Sequence, residues 1–213
     1  MVEIGAGTGR LTRELASVAG LVMAIEVDTR LAERLIRATA SWPNVYVHGG
    51  DARYALLPVA PHRVVGNVPF SITTTVLRRI VDHPYTQRLD LVLQLEAARK
   101  RARPSGSALS ILWHVGWHFE VREVIPSRAF HPRPGVDAAW LTGSRRRHPL
   151  IASKEMPSFE HLVRRGFARA SLPIRRSLHL PSSTLHRAGV ASDARAVDLD
   201  VEQWISILRV SRR

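Results

Sequence analysis

Four short segments carry side chains whose chemistry makes sense only if they meet. The first is Glu3-Ile4-Gly5-Ala6-Gly7-Thr8-Gly9. Its alternating glycines permit a tight turn and bring the main chain close to a ligand at the carboxyl end of a strand. The G-x-G-x-G spacing departs from the dinucleotide fingerprint G-x-G-x-x-G, since Arg10 holds its third place, and no lysine follows as in a phosphate-binding loop. The spacing therefore disfavours a dinucleotide and favours a cofactor without a pyrophosphate. Glu26 closes Ala24-Ile25-Glu26-Val27-Asp28, where an acidic side chain can accept hydrogen bonds from both ribose hydroxyls. Asp51, in Gly49-Gly50-Asp51-Ala52, can accept one from the amino group of an adenine. Three polar features at successive strand ends converge on one crevice, and together they point to S-adenosylmethionine.

The fourth segment is Asn67-Val68-Pro69-Phe70. A base amino group is a poor nucleophile because its lone pair is delocalised into the ring. The Asn67 amide oxygen and the Val68 carbonyl can accept its two hydrogens and favour a pyramidal, nucleophilic nitrogen. Pro69 fixes the turn and Phe70 can stack on the base. The base must first leave its helix, at a cost of about a few kcal/mol. Asn-x-Pro-Phe alone is a strand-ending turn. Beside the glycine loop it reads as the site for an adenine that receives a methyl group.

Residues 1–143 supply the elements that position these groups, alternating short apolar runs with helical patterns, as in an α/β sheet of parallel strands. Strands are predicted at Val2–Ile4, Leu21–Val27, Val45–Val47, Arg63–Gly66, Asp90–Leu95, Phe119–Ile125 and Ala138–Thr142. Leu11, Leu15 and Val18 predict a first helix closed by Gly20. Thr29 is placed to cap a second, carrying Leu31, Leu35 and Ile36 and ending before Pro43. Ile72, Val76, Leu77 and Ile80 predict a third. The proline-rich segment from Pro126 to Pro134 is too short for a crossover helix, so the last two strands should be antiparallel. After Gly143 the patterns are helical: Phe159, Leu162, Val163 and Phe167; Thr184–Ala188, closed by Gly189; and Val201, Trp204, Ile205 and Leu208. The expected division is a cofactor-binding domain over 1–148 and a helical domain over 149–213.

The chain of 213 residues has no cysteine, which excludes disulfides, thiolate nucleophiles and cysteine-held zinc. No apolar run is long enough to span a bilayer and no secretory leader precedes the glycine loop, so a cytoplasmic protein is expected. His114, His118 and His131 do not form a metal-ligand spacing, and no metal is expected. A formal charge of +13 points to a polyanionic partner. Candidate phosphate contacts are Arg99, Lys100, Arg101, Arg103, Arg164 and Arg165, with Arg145–Arg147, Arg175 and Arg176 behind them. Glu96 reads as a strand-end ion pair or a neighbour of the active site.

The segments Glu3–Gly9, Ala24–Asp28, Gly66–Thr74, Leu93–Arg101 and Ile125–Leu141 resemble the ribosomal RNA adenine N6-methyltransferases, over nearly the whole chain. Leu95–Arg101 and Trp113-His114-Val115-Gly116-Trp117 resemble in particular the Erm branch, which confers macrolide, lincosamide and streptogramin B resistance. The resemblance implies a Rossmann-like class I methyltransferase sheet with a small C-terminal all-helical domain that binds RNA. It implies methylation of one adenine of 23S ribosomal RNA before full assembly of the large subunit, by a monomer that uses no metal. Carried onto this chain, the cofactor set is Glu3, Gly5, Gly7, Gly9, Glu26, Val27, Asp51, Ala52 and Asn67. Gly5, Gly7 and Gly9 would line the methionine end, and Asp51 with Ala52 the cofactor's adenine. Asn67, Val68, Pro69 and Phe70 would hold the target. The family carries a helix and a Gln-Asn-Phe element ahead of the glycine strand, whereas this sequence opens inside that strand, so weakened cofactor binding is expected. The competing readings are a small-subunit dimethyladenosine transferase, a silent RNA-binding protein on the same fold, and a DNA adenine methyltransferase, whose motif usually begins with Asp.

Overall fold

The computed structural model of the chain describes residues 1–211. Seven strands form one sheet: β1 Val2–Ile4, β2 Val22–Glu26, β3 Val45–Gly49, β4 His62–Asn67, β5 Thr86–Gln94, β6 Trp117–Ile125 and β7 Ala138–Arg145. Their order is β3-β2-β1-β4-β5-β7-β6. The first five run parallel, and β7 pairs antiparallel with β5. The chain steps outward from β1 to β2 and β3, then returns to the other side of β1 with β4. Strand order reverses there, and a crevice opens at the carboxyl ends of β1 and β4.

Helices α1 (Arg10–Val18), α2 (Thr29–Thr39) and α3 (Thr73–Asp82) follow β1, β2 and β4. Parallel strands need such crossovers. On α3 the expected stripe is buried at Val76, Leu77 and Ile80. On α1 it is not: Leu11 and Val18 are exposed, and the buried residues are Thr12 and Leu15. The helix is turned so that the Thr12 hydroxyl comes beside the buried carboxyl of Glu3. The cap of α2 also differs. Asp28, in extended conformation, accepts hydrogen bonds from the N–H groups of Arg30 and Leu31, and Thr29 is the first helical residue. Strand β5 starts at Thr86, four residues before the expected Asp90. Trp113 lies in a helix while Trp117 opens β6, so the two do not share a helix face.

Two compact units emerge: Met1–Ala98 with Glu120–Arg145, and Arg99–Phe119 with Arg146–Arg213. The segment 99–119, expected with the sheet, thus clusters with the C-terminal helices. The reason is apolar: Ile111 and Val115 of α5 (Ala108–Gly116) belong to the same core as Phe159, Val163, Trp204 and Leu208. Helix α4 (Leu95–Ala102) carries the chain from one unit into the other. The remaining helices are α6 (Met156–Ala168), α7 (Ile174–Leu178), α8 (Ser182–Arg187) and α9 (Val201–Ser211). Among the described residues, no helix is long and apolar enough to cross a membrane.

Trp204 anchors the helical core: it is fully buried and stacks on Phe167 at 5.7 Å between ring centroids. Gly166 leaves the space for it, since a Cβ there would overlap the indole. Gly166→Ala should therefore destabilise the protein by about 1–3 kcal/mol through overpacking despite alanine's better helix propensity. Thermal unfolding followed by tryptophan fluorescence checks this, and a raised Tm would contradict the packing argument.

Candidate active site

Gly5 follows β1 with φ +72°, and a Cβ on it would stand 3.2 Å from the Asn67 carbonyl at the end of β4. One step earlier the same approach recurs in reverse: Gly66 is registered against Ile4, and a Cβ on it would overlap the Ile4 carbonyl. Two glycines on adjacent strands thus let the loop after β1 and the motif after β4 share one edge. The cleft between the strand ends holds about 250 Å³. It is lined by Ile4 and Gly5 after β1, Ile25 and Val27 around the end of β2, the Gly50–Arg53 turn, and Pro69, Ser71 and Ile72 beyond β4.

Glu26 is buried at the floor of this edge. Its Oε2 accepts the Gly7 N–H at 2.7 Å and its Oε1 the Asp28 N–H at 2.9 Å. The carboxylate thereby ties the glycine loop to the end of β2. A carboxylate has about four acceptor positions, so two remain for a ribose diol. Asp51 is held by Arg53, whose N–H, Nε and Nη2 donate to it at 2.8, 2.9 and 2.6 Å. That guanidinium keeps the Asp51 carboxyl below the usual carboxylate range. Arg53 lines the cleft and was not legible as a site residue, although its place two positions after Asp51 is the signal. It also lies 5.5 Å from the Tyr54 ring centroid.

Of the expected cofactor residues, Gly5, Val27, Asp51 and Ala52 line the cleft, whereas Gly7, Glu26 and Asn67 do not; the Gly7 N–H donates to Glu26. Gly9 is buried where the loop enters α1, facing Leu35. Glu3 is not a cleft residue. It is 1% exposed beneath the loop, and burial raises its pKa to about 7 from an ordinary 4.5; the Glu26 charge adds to the rise and the Thr12 hydroxyl opposes it. In the target motif, Val68 is buried and its N–H donates to the Val92 carbonyl at 3.1 Å. The Pro69 carbonyl accepts from the Ile72 N–H (3.1 Å) and the Thr73 hydroxyl (3.3 Å), which fixes the turn. Asn67 and the Phe70 ring are exposed. Sequence reading also missed that Ser127–Asp137 reaches the same sheet edge. Ala138 is registered with Gln94, and Asp137 holds the loop by accepting the Ser127 N–H at 2.8 Å.

The basic candidates separate by burial. Arg101 is 7% exposed, with its guanidinium 5.3 Å over the Trp113 ring, so it is a packing residue and leaves the set of surface contacts. Its carbonyl accepts a hydrogen bond from His114 Nε2 at 2.9 Å. Arg145 donates to the carbonyls of Thr86, Val81 and His83, and Arg146 to that of His114; both are fold-building. Arg164 pairs with Glu160 at 2.6 Å, and Arg165 donates to the Leu178 carbonyl at 3.2 Å, both on the exposed face of α6. Arg99, Lys100, Arg103, Arg147, Arg175 and Arg176 are exposed. No cluster of three or more metal-ligating side chains occurs among the described residues.

A family model described as ribosomal RNA adenine dimethylase matches residues 1–212. The chain belongs to that family. The mycinamicin-resistance protein MyrB of Micromonospora griseorubida is 36% identical to it over 100% of this chain and 70% of its own length. A ribosomal RNA small subunit methyltransferase A of Rubrobacter xylanophilus is 33% identical over 98% of this chain and 84% of its own. Among solved structures, the 23S rRNA methyltransferase ErmE superposes with a TM-score of 0.90 at 30% identity, covering 100% of this chain and 90% of that one. A dimethyladenosine transferase of Plasmodium falciparum, 19% identical with a TM-score of 0.81 over 99% of this chain and 89% of its own, shares the fold. The architecture is therefore the Rossmann-like methyltransferase sheet with appended helices, and members of this family use S-adenosylmethionine.

Two outcomes follow from the geometry. Gly5→Ala strains a left-handed residue and presses on the Asn67 carbonyl, so it should cost about 1–3 kcal/mol of stability. It should also weaken cofactor binding more than Gly20→Ala, whose Cβ meets nothing; calorimetry measures both. For Glu3 the folded-state pKa lies above the unfolded one, so the favourable burial of its neutral form is complete below about pH 4.5 and lost as pH rises through 7. Glu3→Gln, which mimics that neutral form, should raise Tm relative to wild type at pH 8 and make little difference at pH 5. A pH-independent difference would reject the assignment.

Proposed function

We propose that this protein transfers a methyl group from S-adenosylmethionine to N6 of a single adenine in 23S ribosomal RNA, and so protects the ribosome from macrolide, lincosamide and streptogramin B antibiotics. The observation that carries the reading is the contact between loop and motif: Gly5 lies against the Asn67 carbonyl, so a donor on the glycine loop and a base on Asn67–Phe70 stand within reach of one another. The likeness to ErmE, a 23S rRNA methyltransferase, supports the large-subunit target, and the likeness to MyrB, a mycinamicin-resistance protein, supports the protective role.

Bound to the loop, S-adenosylmethionine supplies an electrophilic methyl carbon. The ribose falls to Glu26 and the adenine amino group to Asp51, held in place by Arg53. Phe70 offers a face to the extruded base. With the Pro69 carbonyl engaged by Ile72 and Thr73, the Asn67 amide oxygen and the Val68 carbonyl take the two N6 hydrogens. With donor and base so held, the nitrogen lone pair would form the N–C bond as the C–S bond breaks, and the proton lost from N6 would pass to water. Alignment contributes most of the acceleration, since misplacement by about 1 Å costs about 100-fold.

The helical unit supplies the grip on RNA. Seventeen of the 31 Lys and Arg residues but six of the 18 acidic ones fall in it, so it carries +11 of the total +13. Contacts to phosphate fall to the exposed Arg99, Lys100, Arg103, Arg164 and Arg165, and affinity then declines steeply with salt. The target is the unassembled large-subunit RNA, where the base can be extruded.

The test is methyl transfer from labelled donor to unmodified 23S and 16S RNA, with the modified base mapped by primer extension. One modified adenine in 23S RNA is expected, and Asn67→Ala should lower its rate about 100-fold. Modification confined to 16S RNA would move the chain to the small-subunit branch, and RNA binding without transfer would make it a silent relative.

A further inference from the structure

The Arg53 guanidinium makes contacts that the turn carrying it does not require. That turn is already held by main-chain bonds. The Gly50 N–H donates to the Glu26 carbonyl at 2.8 Å, and the Tyr54 and Ala55 N–H groups donate to the Asp51 carbonyl at 2.9 Å each. The Arg53 N–H adds a bond to Asp51 Oδ1 at 2.8 Å, which any residue but proline could make from that position. The side chain comes on top of these. A guanidinium fork commonly meets a carboxylate with one nitrogen to each oxygen. Here Nε and Nη2 both close on a single oxygen, Oδ2, at 2.9 and 2.6 Å. The Tyr54 ring, 5.5 Å from the guanidinium, backs it as a cation–π partner.

This geometry decides what Asp51 can still accept. A carboxylate offers about four acceptor positions, two on each oxygen. The guanidinium occupies both on Oδ2, and the Arg53 N–H occupies one on Oδ1. One position is left, on a group that lines the cleft together with Arg53 itself. A carboxylate held from two sides cannot swing toward water when a ligand arrives. It binds a single N–H without rearranging, and it opposes a carbonyl oxygen put in the same place. Without the fork both effects weaken: the amino group must order the side chain it binds, and the carbonyl oxygen meets an anion free to move aside.

We propose that Arg53 is a positioning residue that sets the base specificity of the cleft. Acting through Asp51, it selects a ligand whose purine carries an amino group at C6 over one that carries an oxygen there. The inference rests on the reading given under Proposed function, in which the cofactor's adenine amino group falls to Asp51. Arg53 needs no contact with the ligand to do this.

The experiment is calorimetric titration of the full chain with S-adenosylhomocysteine and with S-inosylhomocysteine, in which hypoxanthine replaces adenine. Wild type, Arg53→Met and Arg53→Lys are compared. Wild type should favour the adenine ligand by about 100-fold, the reach of one hydrogen bond to a charged group. Arg53→Met should lower that ratio about tenfold, because the adenine ligand binds more weakly while the hypoxanthine ligand does not. Arg53→Lys, with one donor for Oδ2, should recover part of it. An arginine that only stabilises the turn would weaken both ligands alike in Arg53→Met and leave the ratio unchanged. That result would overturn the proposal, as would a wild type that binds both ligands equally. If Arg53→Met does not fold, the lysine variant decides: a lowered ratio supports the proposal and a wild-type ratio overturns it. Failure of the wild type to bind S-adenosylhomocysteine at all would overturn the cofactor reading itself.

Discussion

The parallel pairing of β1 with β4 is the constraint on which the site depends. Their carboxyl ends can lie together only because Gly5 and Gly66 have no side chains: a Cβ on either would meet the main chain of the other strand. Every other feature of the cleft is measured from that seam. To one side, Glu26 fastens the glycine loop to β2, and Arg53 fastens Asp51 to the turn after β3. To the other, the Pro69 turn presents Asn67 and Phe70. A reaction between two bound molecules needs both held at one contact distance, and the seam sets that distance in the backbone, where side-chain motion cannot blur it.

Electrostatics refine what the seam positions. Three acidic residues gather at this edge, and each is treated differently. Glu26 has both oxygens on main-chain donors, and Asp51 has a guanidinium. Glu3 has one unpartnered oxygen, and burial raises its pKa to about 7. The first two are fixed acceptors, ready to receive hydrogen bonds without rearranging, which is what preorganisation requires.

How much of this was legible follows from what kind of force acts at each position. The strands around the glycine loop, Glu26 and Asp51 were legible because local spacing dictates them: a buried parallel strand is a short apolar run, and its end carries the chemistry. The cap at Asp28 was misplaced to Thr29 by one residue, a choice between two good caps that only the helix start decides. The exposure of Leu11 and Val18 was hidden because α1 turns Thr12 and Leu15 inward, a choice of face that the spacing of its apolar residues does not dictate. Residues 99–119 follow the same logic. Their sequence is that of any helix, and only the apolar partners Phe159, Val163 and Trp204, forty to a hundred residues away, assign them to the helical unit.

Charge shows the same split between composition and placement. The excess of arginine is obvious from the sequence, yet arginine has two uses that composition cannot separate. Arg101 lies over Trp113, and Arg145 and Arg146 close helix and strand ends by donating to carbonyls, uses suited to a planar group with five donors. These residues raise the net charge without enlarging the surface offered to a polyanion. The formal charge is nevertheless uneven: the sheet unit is close to balance at +2, and the helical unit holds the rest. On the proposed function, the grip on phosphate falls to the helical unit, and the near-balanced sheet unit keeps its acidic acceptors for the cationic donor.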